Sequence, residues 1–549
     1  MTGNLIQRTA SAYAYPLNIK NLLQAPVVDN PDQEIVYRDL HRYSYSHFRQ
    51  RICRLANALT ELGVKAGDTV AVMDWDSHRY LECFYAIPML GAVLHTVNIR
   101  LSTEQILYTV DHAEDDFLLV HEEFLPQLEQ IKGRMDTVRG FVLLQDSGKA
   151  PETSLELVGE YEAMLAEAED AYEFPDLDEN TRATTFYTTG TTGMPKGVYF
   201  SHRQLVLHTL GGMAALATAV DQGRLHQQDV YMPITPMFHV HAWGMPYIAT
   251  SLALKQVYPG KYAPETLLKL IETEKVTFSH CVPTILHLLM SHPLFSEIDL
   301  SHWKVMIGGA VLPKAMCKAA LARGIDIFSG YGMSETCPVL TIAHVTEKEL
   351  SEDEELEIRC KTGRPLPLVE LKIVDEQMTP IPADGESVGE IVVRSPWLTQ
   401  GYLKDQRNSE NLWLNGYLHT GDVAYRDVNN FIKITDRIKD VIKIGGEWIS
   451  SLEVEDLLAV YPGVGEVAVI GLPDEKWGER PLALVVKQQG ADPTTKELRR
   501  HIRGFVDKGV ISKQVVLLKV RFVDAIDKTS VGKVNKRLLR EKYAPAASE

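Results

Sequence analysis

Short runs rich in Val, Ile and Leu alternate with longer segments of helical spacing through most of the chain. Thr69–Asp74 (TVAVMD) reads as a buried strand and Tyr80–Leu94 as the helix that follows it. Asp116–Val120, Val276–His280 and Val305–Ile307 read as further buried strands. Alternation of this kind predicts an α/β architecture, with helices layered on a largely parallel sheet. The most apolar stretch, Phe84–Leu94 (FYAIPMLGAVL), falls far short of the ~18–20 residues that span a bilayer and is predicted to be buried helix. No repeat of fixed period is visible.

From about Glu370 the pattern changes to short strands with turn signals. Leu371–Asp375, Pro382–Glu386 and Gly389–Ser395 read as strand, turn and strand. After Asp436 comes a compact tail of mixed character. In it Glu453–Tyr461 and Lys496–Phe505 are helical by spacing, and VAVIGL and LALVVK are strands. A domain boundary is predicted near Asp436–Lys439, dividing residues 1–436 from residues 437–549. Two acidic stretches, Glu167–Asn180 and Glu347–Glu357, read as solvated surface.

Composition narrows the class. A chain of 549 residues exceeds one compact core and divides into domains, and 45% hydrophobic with 23% charged residues is the balance of a soluble globular protein. A formal charge of -17 leaves no basic surplus for general nucleic-acid binding. The N-terminus, MTGNLIQRTASAYAYPLNIK, lacks the charged start and apolar core of a signal peptide. Six scattered cysteines without a CxxC pair suit reduced thiols in cytoplasm better than a disulfide framework or a zinc site.

The first chemical signal is Tyr187–Val198, YTTGTTGMPKGV. Three glycines, four threonines and Lys196 fall within eleven residues from Thr188. Glycines let successive backbone N–H groups approach an anion, and hydroxyls and a lysine add donors, so the loop suits a polyphosphate. The bland alternative is a surface loop without a ligand. It is not a Walker A loop, because every Gly-Lys pair here is followed by Ala150, Tyr262 or Val534 rather than Ser or Thr. A GxGxxA match at Gly463, Gly465 and Ala468 precedes a strand instead of following one and reads as a turn.

YTTGTTGMPKG followed by SHRQ (Ser201–Gln204) closely resembles the phosphate loop of the adenylate-forming superfamily, which holds acyl-CoA synthetases, carrier-protein adenylation domains and beetle luciferases. Further segments match in the family's order over nearly the whole chain. PMFHVHAWG (Pro236–Gly244) resembles the wall of the acyl pocket, with Val240 on that wall and Trp243 where a tryptophan gates the fatty-acid tunnel; alone, His239 and His241 would be structural histidines. SGYGMSETCP (Ser329–Pro338) resembles the adenine and metal segment. The resemblance implies that Tyr331 stacks on adenine, that Ser329, Gly330 and Ser334 line the nucleotide site, and that Glu335, with Thr188, holds magnesium; otherwise Ser334 and Glu335 read as helix caps. Gly308-Gly309 resembles the strand end that gives the acyl-adenylate room.

YLHTGDVA (Tyr417–Ala424) places Asp422 where the family binds the ribose diol, and TDRIKDVIKIGGEWISS (Thr435–Ser451) places Arg437 at ribose or phosphate and Lys439 at the hinge. Lys443, Gly445, Gly446 and Trp448 match the loop of the coenzyme A channel, and Lys533, in KTSVGKVNK, matches the lysine that reaches the α-phosphate. The family's phosphate contacts fall on Thr188, Thr189, Gly190, Thr191, Thr192, Gly193 and Lys196. Two departures stand out: Asp527 replaces a usual proline, and Ser512–Lys519 lacks the Trp and Pro of many relatives.

The resemblance implies a large N-terminal domain of layered sheets and helices with a small β-barrel-like subdomain, and a small mobile α+β C-terminal domain. It implies an ATP-dependent ligase with Mg2+, ATP and CoA, catalytic residues Lys533, Arg437 and Glu335, and a medium- or long-chain fatty acid as substrate. The same chemistry on a short acid such as 3-(methylthio)propanoate is the alternative. The expected partners are a small carboxylic acid, ATP and CoA, with no nucleic acid and no integral membrane segment; a homodimer is admissible. A carrier-protein adenylation domain, a luciferase-like oxygenase and a non-catalytic nucleotide binder are the competing classes, and the first is disfavoured by the absence of a carrier segment before Glu549.

Overall fold

The continuous apolar runs belong to a seven-stranded sheet. A computed structural model describes residues 3–149, 151–188, 194–346, 349–444, 447–474, 476–529 and 534–543. The sheet's strands lie in the order Leu157–Glu160, Gly140–Leu144, Phe117–His121, Thr69–Met73, Val93–Thr96, Arg182–Thr188 and Lys196–Ser201. Neighbours run parallel except the last two, which form an antiparallel hairpin. Thr69–Met73, Phe117–His121 and Gly140–Leu144 are buried along their whole length, so their sequences have no polar face to alternate with.

A nine-stranded sheet runs Arg364–Pro365, Val339–Ile342, Asp326–Gly332, Lys304–Ile307, Phe278–Cys281, Val230–Pro233, Lys255–Tyr258, Glu34–Tyr37 and His41–Ser44. Its interior is parallel and both ends are antiparallel. The sheet separates two apolar layers. Met232, Cys281, Ile307 and Ile327 pack with the helices Pro264–Glu274, Pro283–Met290 and Lys314–Leu321 on one side. On the other, Tyr231, Phe278, Met306 and Phe328 pack against the helices His202–Ala217 and Met245–Ser251.

The turn-rich region from Glu370 forms a five-stranded antiparallel sheet of Glu370–Val374, Gly389–Arg394, Tyr417–Arg426, Trp413–Leu414 and Ile432–Arg437. This is the predicted β-rich subdomain. The tail forms a second five-stranded sheet, in which Val464–Asp474 and Gly478–Lys487 are the long pair, with the helices Ser451–Ala459 and Thr495–Asp507 in a core of their own. Gly463 turns with φ +91 into the strand Val464–Asp474, but Gly465 and Ala468 lie within that strand, so only the first residue of the GxGxxA match is the predicted turn. Near the junction, the N–H and hydroxyl of Ser451 both donate to Asp436 Oδ2 at 2.6 Å, and Lys536 donates to the same hydroxyl at 2.5 Å.

One predicted element is corrected. Phe84–Leu94 is not continuous helix: the helix His78–Met89 stops, Gly91 turns with φ +81, and the strand Val93–Thr96 follows. A Cβ at Gly91 would stand 3.1 Å from that of Ala66, so the position demands glycine on space as well as conformation. Helix and strand are both wholly buried, which removes the change of period that would have marked the boundary. The acidic stretch Glu167–Asn180 is largely exposed, yet it holds the N-terminal segment: Glu179 accepts from Leu17 N at 2.9 Å, and the Phe174 carbonyl accepts from Lys20 Nζ at 2.9 Å.

The helix His78–Met89 is buried on every side, including Arg79 and Glu82. Glu82 is tolerated because Arg51 Nε lies 2.7 Å away and the hydroxyls of Tyr43 and Tyr161 donate to it at 2.7 and 2.6 Å. Removing one partner of a buried pair strands the other's charge. We therefore expect Arg51→Met to destabilise the fold by about 3 kcal/mol in urea unfolding, and Arg51→Met/Glu82→Leu to recover most of that loss. Equal losses in the single and double variants would show that Glu82 needs no counter-charge.

Candidate functional site

Residues from two sheets meet at one buried carboxylate. Asp422 and Arg437 are Cα partners on the antiparallel strands Tyr417–Arg426 and Ile432–Arg437. Tyr331 lies near the end of Asp326–Gly332, in the nine-stranded sheet. Its hydroxyl donates to Asp422 Oδ2 at 2.7 Å, and Arg437 Nε stands 3.1 Å from Oδ1. Asp422 itself is buried. Its charge is the main cause that raises the Arg437 pKa above the ordinary arginine value, and burial raises that of the Tyr331 phenol. The strand carrying Tyr331 ends at Gly332, where a Cβ would fall 1.9 Å from the Pro338 carbonyl oxygen; a short 3-10 turn, Ser334–Thr336, follows.

That turn carries Glu335, which is buried. Its Oε1 accepts from Tyr402 Oη at 2.7 Å and its carbonyl accepts from Thr399 N at 2.9 Å. The ammonium of Lys196 lies 4.6 Å from the centre of the Tyr402 ring. Thr188 and Lys196 are register partners, so the phosphate-loop segment leaves and re-enters the sheet at that pair. Thr189, Gly190, Thr191, Thr192 and Gly193 lie outside the described residues. Glu335 also contributes to the field that raises Arg437. Lys196, Tyr402 and Glu335 form one run of contacts and Tyr331, Asp422 and Arg437 another, joined through the segment Tyr331–Glu335.

Ser329 and Gly330 precede Tyr331 on its strand, and the Ser329 hydroxyl is buried without a hydrogen-bond partner. Ser334 begins the 3-10 turn. Among the described residues no cluster of three or more His, Cys, Asp or Glu is arranged to hold a metal. A carboxylate and a threonine hydroxyl are hard oxygen donors of the kind magnesium takes when phosphates and water supply the rest, so Glu335 and Thr188 suit that ion in type.

The apolar wall departs from anything its sequence predicts. Val240, His241, Ala242 and Trp243 have φ of 49, 55, 47 and 59°, a left-handed turn ending at Gly244. Such residues cost about 1–2 kcal/mol each in this conformation, and the surroundings must hold them there. The His241 ring is packed among Phe84, Phe186, Phe200 and Tyr247. Trp243 lies 5.0 Å from the His280 ring, and a Cβ on Gly308 would meet its Cη2 at 2.9 Å. Gly309 follows with φ +74. Upstream, Met237 N donates to Asp76 Oδ1 at 2.9 Å, and the Tyr262 hydroxyl donates to Oδ2.

In the C-terminal part, Lys439 follows Arg437, and burial, with Arg437 beside it, pulls its ammonium below the ordinary lysine value. Lys443 is exposed on the strand Ile442–Ile444, and Trp448 belongs to the strand Glu447–Ile449. Gly445, Gly446 and Lys533 lie outside the described residues. The departures noted in sequence form ordinary structure: Asp527 accepts from Asn535 N at 2.8 Å and pairs with Lys542 at 3.1 Å, and Ser512 caps the 3-10 turn Lys513–Leu517. Sequence reasoning missed Tyr402, Asp76, Tyr231 and His280. No motif marks them, since each acts through contacts with remote segments.

The chain belongs to the AMP-binding enzyme family, which it matches over residues 23–403, with the AMP-binding enzyme C-terminal domain over residues 453–533. It is 40% identical over 536 residues to a long-chain-fatty-acid–CoA ligase of Thermus thermophilus, covering 96% of each chain. It is 37% identical over 542 residues to a 3-methylmercaptopropionyl-CoA ligase of Ruegeria lacuscaerulensis, covering 97% of this chain and 98% of that one. In fold it resembles the anthranilate CoA ligase AuaEII in complex with anthranoyl-AMP, with a TM-score of 0.85 at 23% identity, over 97% of this chain and 99% of that one.

Asp76 makes the start of the apolar wall sensitive to pH. Burial pushes its carboxyl up to about 7, and Asp74 adds to the rise; the donors Tyr262 and Met237 N and the charge of Arg100 oppose it. A folded pKa above the unfolded value of ~3.9 means that folding takes up a proton between the two. This group's contribution is therefore largest below about pH 4, falls as pH rises towards about 7, and is level above that. We expect Asp76→Asn to gain about 2 kcal/mol relative to the parent between pH 5 and pH 8. Urea midpoints at the two pH values measure this, and a pH-independent difference between the two proteins would contradict it.

Proposed function

We propose that this chain is an ATP-dependent acyl-CoA synthetase that adenylates a medium- or long-chain fatty acid, releasing pyrophosphate, and then forms the acyl-CoA thioester, releasing AMP. The observation that carries the reading is the joining of Tyr331, Asp422 and Arg437 to Glu335, Tyr402 and Lys196 through the segment Tyr331–Glu335. Family membership and the Thermus relative support it.

On this reading Asp422 receives the ribose hydroxyls and Tyr331 lies against the adenine. Lys196, with Thr188 and the loop Thr189–Gly193, receives the β- and γ-phosphates, while Ser329, Gly330 and Ser334 line the nucleotide. A carboxylate is a poor electrophile because its leaving group would be oxide, and conversion to an acyl-adenylate makes AMP the leaving group. The acid's carboxylate attacks the α-phosphorus in line with departing pyrophosphate. Charge gathers on the α-phosphate oxygens, and preorganised donors there contribute several kcal/mol. Arg437 and Lys533 are assigned that task. Magnesium, held by Glu335 and Thr188, would neutralise phosphate charge.

The thiol of coenzyme A then attacks the acyl-adenylate carbonyl, approaching through a channel assigned to Lys443, Gly445, Gly446 and Trp448. The two half-reactions need different groups at one place. We assign the exchange to rotation of residues 437–549 against residues 1–436, with Lys439 as the hinge. The dispersed free cysteines favour a cytoplasmic location; among the described residues no helix is long and apolar enough to cross a membrane. The Ruegeria relative supports a second reading, the same chemistry on 3-(methylthio)propanoate.

Two measurements test the assignment. Lys533→Ala should abolish pyrophosphate release from acid and ATP while a supplied acyl-adenylate still yields thioester; loss of both half-reactions to the same degree would remove Lys533 from its role. Each methylene buried in a fitted tunnel is worth ~0.8 kcal/mol. KM should therefore fall steadily along a series of saturated acids of rising length until the tunnel is filled. A flat series, or activity confined to the shortest acids, would replace the fatty acid with the short thioether acid.

A further inference from the structure

Tyr231 and His280 are fully buried on neighbouring parallel strands of the nine-stranded sheet, in the layer that packs under the helices His202–Ala217 and Met245–Ser251. Tyr231 Oη and His280 Nε2 are 2.9 Å apart, and the two ring planes are nearly parallel. Among the described residues His280 Nδ1 has no hydrogen-bond partner. Burial pushes the imidazole down to about 3, so it is neutral at physiological pH and carries one N–H.

The hydrogen count of the pair then selects a ligand. Two donors are present, the phenol O–H and the imidazole N–H, and one mutual bond satisfies one of them. If the phenol donates, the proton on Nδ1 is left over; if Nε2–H donates, the phenol proton is left over. Either tautomer leaves one donor and no acceptor for it, at a cost of about 1–3 kcal/mol in an apolar layer. Phe278, Met306 and Trp243 share this layer and cannot accept strongly, and the Asp76 carboxylate, whose charge adds to burial in raising the Tyr231 phenol, accepts from Met237 N and the Tyr262 hydroxyl. His280 pairs with Met306, two residues before Gly308, and its ring centre lies 5.0 Å from that of Trp243.

We propose that Tyr231 and His280 form a polar reader in the acyl pocket, so that the preferred substrates are acids bearing a hydrogen-bond acceptor (ether or thioether, carbonyl or hydroxyl oxygen) in the early part of the chain. This rests on the reading of Trp243 and Gly309 as the acyl site. A site built to hydrogen-bond one substrate atom discriminates against the analogue lacking it more sharply than an apolar pocket discriminates by size.

The test is a set of saturated acids of one length in which a single methylene is replaced by oxygen at successive positions, with pyrophosphate release measured on the full chain. In the parent protein one position should stand above its neighbours in kcat/KM by about tenfold, the worth of one well-made hydrogen bond. Tyr231→Phe/His280→Phe removes both donors and leaves an aromatic ring at each position, and because the phenyl at 280 is larger than the imidazole, Tyr231→Phe/His280→Leu is measured beside it. In each variant the peak should vanish: kcat/KM for the best oxygen acid divided by that for the all-carbon acid should fall from about ten to about one. A flat oxygen series in the parent, or a peak that survives the double substitution, overturns the proposal even if all-carbon acids are activated. Absence of pyrophosphate release with every acid would instead overturn the acyl-CoA synthetase reading beneath it.

Discussion

A buried carboxylate must be satisfied from several directions, and at Asp422 that requirement ties two sheets into one site. The strand Asp326–Gly332 reaches it through the Tyr331 hydroxyl, and the neighbouring strand Ile432–Arg437 reaches it through Arg437. Losing either partner would leave charge in a poorly hydrated place, so the geometry of the pair is enforced by the cost of the alternative. Arg437 in turn ends the last strand before Lys439 and the C-terminal sheet begins. Whatever displaces Asp422 therefore disturbs the Tyr331 ring, the Arg437 guanidinium and the approach to the C-terminal sheet together.

The parts of this site that could be read in the sequence are those in which one short segment does the work. The run Thr188–Val198 stands out because its three glycines lie close together, as backbone approach to an anion demands. Asp422 and Arg437 were found as separate motifs, while their pairing across a strand register could not be seen. Tyr402 carried no signal at all: its place depends on the register of the hairpin Arg182–Ser201 and on a backbone bond from Leu403 N to Gly197 O at 2.8 Å. The alternating pattern located the parallel sheets well, and failed at Gly91, where helix and strand are equally buried.

The left-handed turn at Val240–Trp243 was illegible for a different reason. A β-branched valine followed by histidine, alanine and tryptophan argues against positive φ at each position, and only the tertiary structure forces the conformation. The forces are visible at both ends. Asp76 fixes Met237 N before the turn, and Gly244 packs so closely on His208 that a Cβ there would lie 2.7 Å from the imidazole. His241 is buried with neither ring nitrogen partnered, a further cost in the same four residues. Strain and unpaired polar atoms concentrated in one short segment identify it as the part of the apolar wall with least to lose by moving.

That concentration bears on why Trp243, rather than another aromatic residue of the wall, suits a gate. Trp243 is held by ring contact with His280 and by close packing on Gly308, neither of which is a directional bond. Tyr231, in contrast, is tied by its hydroxyl to His280, and Tyr247 by a 3.1 Å bond to the Phe84 carbonyl. A ring secured only by packing can leave its place when an acyl chain supplies equivalent apolar contact, and the strained backbone beneath it lowers the cost of leaving. The polar rings beside it cannot exchange in this way without stranding a donor. On the proposed reading, the acyl site would pair one exchangeable apolar ring with polar rings fixed by directional bonds.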